Sequence, residues 1–303
     1  MKILLIGKDG QIGKSLFNAL KGSHEIFPLG RKECDLQNKN EIISVFNNIK
    51  VDMVINAAAY TDVNQAERDP KKAFLINSDA IETISLITKN NNIPLIHYST
   101  DYVFDGIKNK KYLEEDKENP LNIYGKSKLF GERNTRINDK HIIIRTSRVF
   151  SKSCNNFISK IINLAEKKDK LDIVNNEIST PTSSDFISKV TSNLISYMGE
   201  HQNKNIFGTY HLVAEGSCSW YDYAKVIVEE ALKLDYPLKI NSDSIYAISS
   251  NDFKSVAERP KNSVLCTNKI KSLLSVDMPQ WEDDVRSATR DIIKTKIKEN
   301  SII

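Results

Sequence analysis

Short apolar runs and longer segments with helical spacing alternate from the first residues of the chain. "KILLI" (2–6), "HEIFPL" (24–29), "DMVIN" (52–56), "PLIHYS" (94–99) and "HIIIR" (141–145) are the near-continuous apolar stretches expected of parallel strands buried on both faces. The segments between them repeat their apolar residues with a helical period. In "QIGKSLFNAL", Ile12, Leu16, Phe17 and Leu20 share one face, as do Ile42, Val45, Phe46 and Ile49 in "NEIISVFNNI". This order predicts an α/β fold: a doubly wound parallel sheet of the Rossmann type with helices on both faces.

Past about residue 150 the rhythm loosens. Helical patterns at 155–168, 183–198 and 219–233 are separated by isolated strand-like pieces, "LDIV" and "GTYHLV". The expected division is a dinucleotide-binding domain over 1–150 and a smaller substrate-binding region over 151–303, with elements near 205–228 able to return to the first domain. The lysine-rich "DGIKNKKYLEEDKEN" (105–119) predicts a surface loop ahead of a helix over 122–137, and "KTKIKENSII" predicts a frayed tail.

Charge and cysteine content narrow the function classes. The 43 Lys and Arg exceed the 39 Asp and Glu by four, and they are spread along the chain with no dense basic block, which argues against a nucleic-acid partner. Cys34, Cys154, Cys218 and Cys266 lie far apart with no C-x-x-C and no histidine at ligand spacing. Neither zinc nor a disulfide framework is expected, and a reducing cytoplasm is. The apolar part of "MKILLIG" is too short for a signal peptide, and no stretch predicts a membrane span.

Two motifs carry chemistry. In "LLIGKDGQIGKSL", Gly7, Gly10 and Gly13 follow the first strand and open the first helix, where a tight turn lets backbone and a helix N-terminus meet a pyrophosphate. At the end of the second strand, the position that holds an acid in NAD sites is Gly30, with Arg31 beside it. That favours a 2′-phosphate and so NADPH, with NADH as the alternative. The small residues of "NAAAY" (56–60) would let backbone lie close to the cofactor.

The second motif is a tyrosine four residues before a lysine, which occurs twice: Tyr124/Lys128 in "NIYGKSK" and Tyr221/Lys225 in "WYDYAK". Carbonyl reduction needs a proton donor. An unperturbed tyrosine, with a pKa of about 10, is a poor one unless a neighbouring ammonium draws it down. The spacing sets both side chains on one helix face. Only the first copy follows a strand that ends in hydroxyls, Ser99 and Thr100 in "HYSTDYVF", and so only Tyr124/Lys128 is predicted to be catalytic. The five histidines read as core or surface residues, and Trp220 and Trp281 as packing.

Together, "GKDGQIG", "VINAAAYTDVNQAE", "HYSTDYVFDG", "PLNIYGKSKLFGE", "IIIRTS", "TPTS", "GTYHLV", "SWYDYA" and "RPKNSVL" resemble the extended short-chain dehydrogenase/reductases, most closely the dTDP-4-dehydrorhamnose reductase family, over nearly the whole chain. The resemblance implies a catalytic set of Thr100, Tyr124 and Lys128, with Thr100 on the C4 carbonyl oxygen, Tyr124 as proton donor, and Lys128 lowering the tyrosine pKa and holding the nicotinamide ribose. It implies cofactor contacts at Gly7, Gly10, Gln11, Ile12, Asp35, Leu36, Ala57, Ala58, Ala59 and Tyr60, and substrate contact at Tyr102. Asn77 falls where such reductases keep an asparagine near the site. Arg259 could meet the nucleotide diphosphate. Two departures stand out. Arg148 replaces the family's tryptophan after "RTS", a cation in place of a flat apolar wall, and as a substrate-binding residue it could pair with a pyrophosphate or a sugar hydroxyl. Ser15 stands where some relatives carry a glutamate involved with magnesium, and no metal is expected. The implied activity is NADPH-dependent reduction of the C4 keto group of dTDP-4-dehydro-β-L-rhamnose, with a homodimer as a family-level expectation. A different nucleotide-linked 4-keto-6-deoxy sugar, or a non-catalytic NADP-binding regulatory subunit, are the alternatives.

Overall fold

The five expected strands assemble edge to edge in a computed structural model that describes residues 1–152, 156–201 and 206–300. They are β1 (Lys2–Ile6), β2 (Glu25–Leu29), β3 (Met53–Asn56), β4 (Leu95–Thr100) and β5 (His141–Thr146), joined at the β5 edge by β6 (Gly208–His211). The sheet order is β2-β1-β3-β4-β5-β6, with every pairing parallel. The order reverses between β1 and β3, and a ligand crevice is expected beyond the strand ends at that point.

Alternation along the strands divides the core. Ile3 and Leu5 pack on one face of the sheet with α1 (Gln11–Leu20), contributing Leu16 and Leu20. Leu4 and Ile6 pack on the other with Ile42 of α2 (Lys39–Asn48) and Ile81 and Ile84 of α3 (Ala80–Asn90). The helix that bears Tyr124, α4 (Ile123–Thr135), starts at Asn122, whose side chain accepts the Gly125 N–H.

Later in the chain, α5 (Phe157–Ala165), α7 (Trp220–Leu232) and α8 (Trp281–Asn300) enclose a separate apolar cluster that includes Ile161, Ile162, Tyr223, Ile227, Trp281 and Val285. Between them in sequence, α6 (Ser184–Glu200) lies on the sheet, where Ile187, Val190 and Leu194 join Leu16 and Leu20.

One expectation holds with an addition and one is corrected. The segment 105–119 is a surface loop as expected, but an anchored one. Tyr112 is buried and stacks on Phe104 with centroids 4.2 Å apart, and its N–H reaches the Val264 carbonyl. The C-terminal segment is not frayed from residue 294, because α8 continues to Asn300. Cys154, and the start of the helix expected from residue 155, lie outside the described residues.

One buried ion pair fastens α4 to the sheet. Arg145 of β5 donates Nε to Glu132 Oε1 at 2.8 Å and Nη2 to Glu132 Oε2 at 2.7 Å. Ser99 of β4 donates to the same carboxylate at 2.6 Å. Burial raises the Glu132 carboxyl, but the hydrogen bonds and charges of Arg145, Ser99 and Arg136 outweigh it and hold the group below its ordinary value. A depressed carboxyl contributes stability above its unfolded pKa and loses it as the pH falls through the folded one. Glu132→Ala is therefore expected to cost ~3–5 kcal/mol at neutral pH, because it leaves Arg145 buried and unpaired. The deficit should shrink as acid protonates Glu132 in the parent protein. Denaturant titrations across pH check both; a deficit that stayed constant into acid would contradict the assignment.

Candidate active site

The loop after β1 presses against the loop after β3. Gly7 has φ +93°, and a Cβ there would sit 2.5 Å from the Ala58 nitrogen. At Gly13 a Cβ would meet the Gly7 carbonyl oxygen at 2.0 Å, so this glycine seats α1 on the turn. Gly10 caps α1 with no side-chain hydrogen bond, and no acidic residue occupies the first turn. Such an end suits a phosphate.

A cavity of about 600 Å³ runs over this loop, from Gly30 and Arg31 to Thr100, Tyr124 and Lys128. Of the predicted cofactor residues, Gly7, Gly10, Gln11, Ile12, Arg31, Asp35, Leu36, Ala57, Ala58, Ala59, Tyr60 and Lys128 line it; Gly13 packs behind. At Gly30, where an NAD site carries its acid, a Cβ would lie 2.0 Å from Asp9 Oδ2, so a side chain there would require Asp9 to turn away. Arg31 is exposed and pairs with Asp35 at 3.5 Å. The cradle of glycines, the open helix end and the exposed guanidinium fit a phosphorylated dinucleotide.

At the other end, Thr100 and Tyr124 line the cavity together, and the Tyr102 ring meets Tyr124 edge-on at 5.8 Å. Burial pushes the Tyr124 hydroxyl well above its ordinary value; the neighbouring Thr100 hydroxyl opposes this, while Asp101 and Tyr102 add to it. Lys128 is turned elsewhere. Its Nζ donates to the Tyr98 carbonyl at 2.6 Å and lies 3.3 Å from His97 Nε2. The expected lowering of the tyrosine by its lysine is thus absent from this arrangement, because desolvation dominates and the amine is engaged on β4. Burial also lowers Lys128 to about 8, against the pull of Glu132.

Beneath Thr100 lies Asp101, 2% exposed, which accepts from Thr100 at 3.1 Å, Ser147 at 2.9 Å and Ser263 at 2.5 Å. Asn77 is also buried. Its Oδ1 accepts the Tyr60 N–H at 2.8 Å, and its Nδ2 donates to the Tyr60 carbonyl and to Ser127 Oγ, each at 3.0 Å. It clamps the cofactor-side loop to α4.

Arg148 lines the cavity, but its fork is not directed at it. Nη1 donates to the Cys218 carbonyl at 2.9 Å and Nη2 to the Glu177 carbonyl at 2.7 Å, and the guanidinium lies 3.9 Å from the Trp220 ring centroid. The side chain expected to pair with the substrate is instead, in this arrangement, a tether between segments, and Trp220, taken for packing alone, is its stacking partner. Tyr102 and Arg259 are not among the cavity's lining residues, although Arg259 is close enough for its charge to act on the Tyr102 hydroxyl. Tyr221 and Lys225 lie on α7, away from the cavity, with the ammonium 5.5 Å from the ring. Sequence spacing missed Asn56 and His97, which stand directly behind Ala58 and Lys128.

A dinucleotide cradle at the switch point of a parallel sheet, sharing one cavity with a Thr/Tyr/Lys group, defines a nicotinamide-dependent oxidoreductase of the Rossmann type. The family model described as the RmlD substrate binding domain matches residues 1–293. The dTDP-4-dehydrorhamnose reductase of Escherichia coli (strain K12) is 36% identical over 301 residues, 97% of this chain and 99% of that one. That of Sinorhizobium fredii is 33% identical over 287 residues, 94% of this chain and 96% of that one. Among solved structures, the dTDP-4-dehydrorhamnose reductase from Bacillus anthracis in complex with NADP matches with a TM-score of 0.86 at 31% identity, covering 94% of this chain and 97% of that one. The chain belongs to the RmlD family of dTDP-4-dehydrorhamnose reductases.

The close approach of Gly7 to Ala58 yields a test of the cradle. Gly7→Ala is expected to weaken NADPH binding by about tenfold or more, through strain at positive φ and a forced shift of the Ala58 loop. Titration of cofactor fluorescence measures it, and unchanged affinity would contradict the placement.

Proposed function

We propose that this protein catalyses the NADPH-dependent reduction of the C4 keto group of dTDP-4-dehydro-β-L-rhamnose to dTDP-L-rhamnose, a step of nucleotide-sugar synthesis for cell-surface polysaccharide. The observation that supports the reading is that Thr100, Tyr124 and Lys128 line the inner end of the same cavity that the glycine turn borders. NADPH, when bound, supplies the hydride. Gly7, Gly10, Gln11 and Ile12 would hold its pyrophosphate, Ala57 to Tyr60 would border it, and Arg31 would face the 2′-phosphate. Asp35 and Leu36 would lie at the adenosine end.

The rest of the chemistry belongs to the chain's own residues. Thr100, whose hydroxyl donates to Asp101 in this arrangement, would turn that proton to the carbonyl oxygen of the bound sugar and orient it. Tyr124 donates its proton to that oxygen as negative charge develops there. Its hydroxyl is protonated at neutral pH, the state a reduction needs, and the upward shift from burial makes it a weaker acid in this arrangement. Lys128 holds the α4 end of the site against β4 through the Tyr98 carbonyl. Tyr102 packs on Tyr124 and would border the sugar. Arg259 has a buried Nε with no protein partner, which supports a contact with the substrate diphosphate. Arg148, bound to two carbonyls, would shape the sugar end through the segments it ties together.

In this reading the sheet half, built around 1–150, carries the cofactor and the segment 151–303 supplies much of the substrate side. The free, buried cysteines at 34, 218 and 266 suit the reducing cytoplasm. Among the described residues no helix is long and apolar enough to cross a membrane. A homodimer is the family-level expectation.

Tyr124→Phe should lower kcat on dTDP-4-dehydrorhamnose by roughly 10²–10⁴-fold while leaving NADPH affinity nearly intact. Full activity in that variant would remove the acid assignment. Arg31→Ala should reduce the preference for NADPH over NADH by roughly tenfold, since one charge-assisted phosphate contact is lost. An unchanged ratio of kcat/KM values would place the 2′-phosphate elsewhere.

A further inference from the structure

His97 sits on β4 with 1% of its surface exposed, and its two ring nitrogens face different partners. Nδ1 is 3.0 Å from Asn56 Nδ2, and Nε2 is 3.3 Å from Lys128 Nζ. The Asn56 amide cannot turn either end to the ring at will. Its Oδ1 accepts the Ala58 backbone N–H at 3.1 Å, which leaves the NH₂ end toward His97. An amide NH₂ only donates, so Nδ1 must accept, and the neutral ring carries its proton on Nε2. That N–H points at Lys128. An ammonium has three donors and no acceptor, whereas a neutral amine has a lone pair. The contact is therefore a hydrogen bond only when Lys128 is uncharged, and the amine still donates to the Tyr98 carbonyl at 2.6 Å.

We propose that His97 is a positioning residue whose Nε2–H favours the neutral form of Lys128 and so draws its titration toward neutral pH before the cofactor loads, and that Asn56 fixes the required His97 tautomer with the same amide that anchors the cofactor-side loop at Ala58. The inference rests on the reading of Lys128 as a member of the catalytic set.

The surroundings agree with this arrangement. Burial holds His97 well below its ordinary value whether or not Lys128 is charged, and a charged Lys128 lowers it further, so the ring is neutral at neutral pH. Burial alone already lowers Lys128 to about 8, opposed by Glu132. Of the titratable and charged groups around the lysine, Glu132 on α4 acts on it by charge and His97 on β4 touches it, while Tyr98 offers only its backbone carbonyl and turns its hydroxyl to Thr191. Beyond Glu132 stand Arg145 on β5 and Arg136, both of which pair with that carboxylate. The chain Ala58–Asn56–His97–Lys128 also links the cofactor-side wall of the cavity to the lysine by hydrogen bonds alone.

The test is the titration of Lys128 in the cofactor-free, full-length protein labelled with ¹³Cε-lysine, its signal identified by loss in Lys128→Arg. His97→Phe removes the Nε2–H donor and should raise the Lys128 midpoint by about one pH unit or more. His97→Gln keeps an acceptor and a donor and should return the midpoint most of the way. Asn56→Asp keeps the acceptor for Ala58 but cannot donate to Nδ1, and should also raise the midpoint; it serves as the test should His97→Phe fail to fold. Equal midpoints in the parent, Phe and Gln proteins would reduce His97 to a spacer and overturn the proposal, as would equal shifts in Phe and Gln. The titration needs neither substrate nor turnover. Shifted midpoints in a protein that fails to reduce the sugar would remove the reaction assignment and leave the tautomer lock standing.

Discussion

Arg145 and Glu132 are both fully buried, and the site depends on their pairing. Arg145 belongs to β5, Glu132 to α4, and Ser99, which shares the carboxylate, to the end of β4. The same guanidinium reaches Glu118 at 2.7 Å and the Glu114 carbonyl at 3.3 Å, in the segment that precedes α4. A charge taken out of water is tolerated only where it is paired and its remaining donors are used. That requirement fixes how α4 lies across the sheet, and so where Tyr124 and Lys128 stand relative to Thr100. The hydroxyls can act together because the helix that carries one is bolted to the strand that carries the other.

A second constraint joins this rigid group to the cofactor side. Gly7 and Ala58 approach too closely for any side chain at Gly7, which brings the ends of β1 and β3 together at the sheet's switch point. Asn56 and Asn77 then bind the adjoining loop to the catalytic wall, one through His97 and the other through Ser127. Buried amides suit this work because each offers a donor and an acceptor at one position, and satisfying both fixes their orientation.

Much of this was legible in the residues. Strand limits were readable to within a residue because strands covered on both faces must be apolar throughout, and the glycine turn was readable because φ and close contact leave no other residue type. Context separated Tyr124/Lys128 from Tyr221/Lys225 where spacing could not. The failures share a cause: partners distant in sequence. The segment 105–119 looks solvated, yet Tyr112 is held by Val264 and Cys266, and Glu114 by His211. Arg148 reads as a free cation until Glu177 and Cys218 come within reach of its fork. The last turns of α8 carry so many lysines that they resemble a tail, but Lys296 pairs with Glu166 across to α5's end. His97 looked like a core histidine and is buried like one; only the tertiary structure turns its ring toward a lysine.

The measurement that bears most directly on this account is the consumption of NADPH on adding dTDP-4-dehydrorhamnose, generated in situ, with the sugar product identified by chromatography and NMR. The account predicts stoichiometric oxidation of NADPH and formation of dTDP-L-rhamnose. Tight NADPH binding with no oxidation would contradict it, leaving the fold and the cradle but not the reaction.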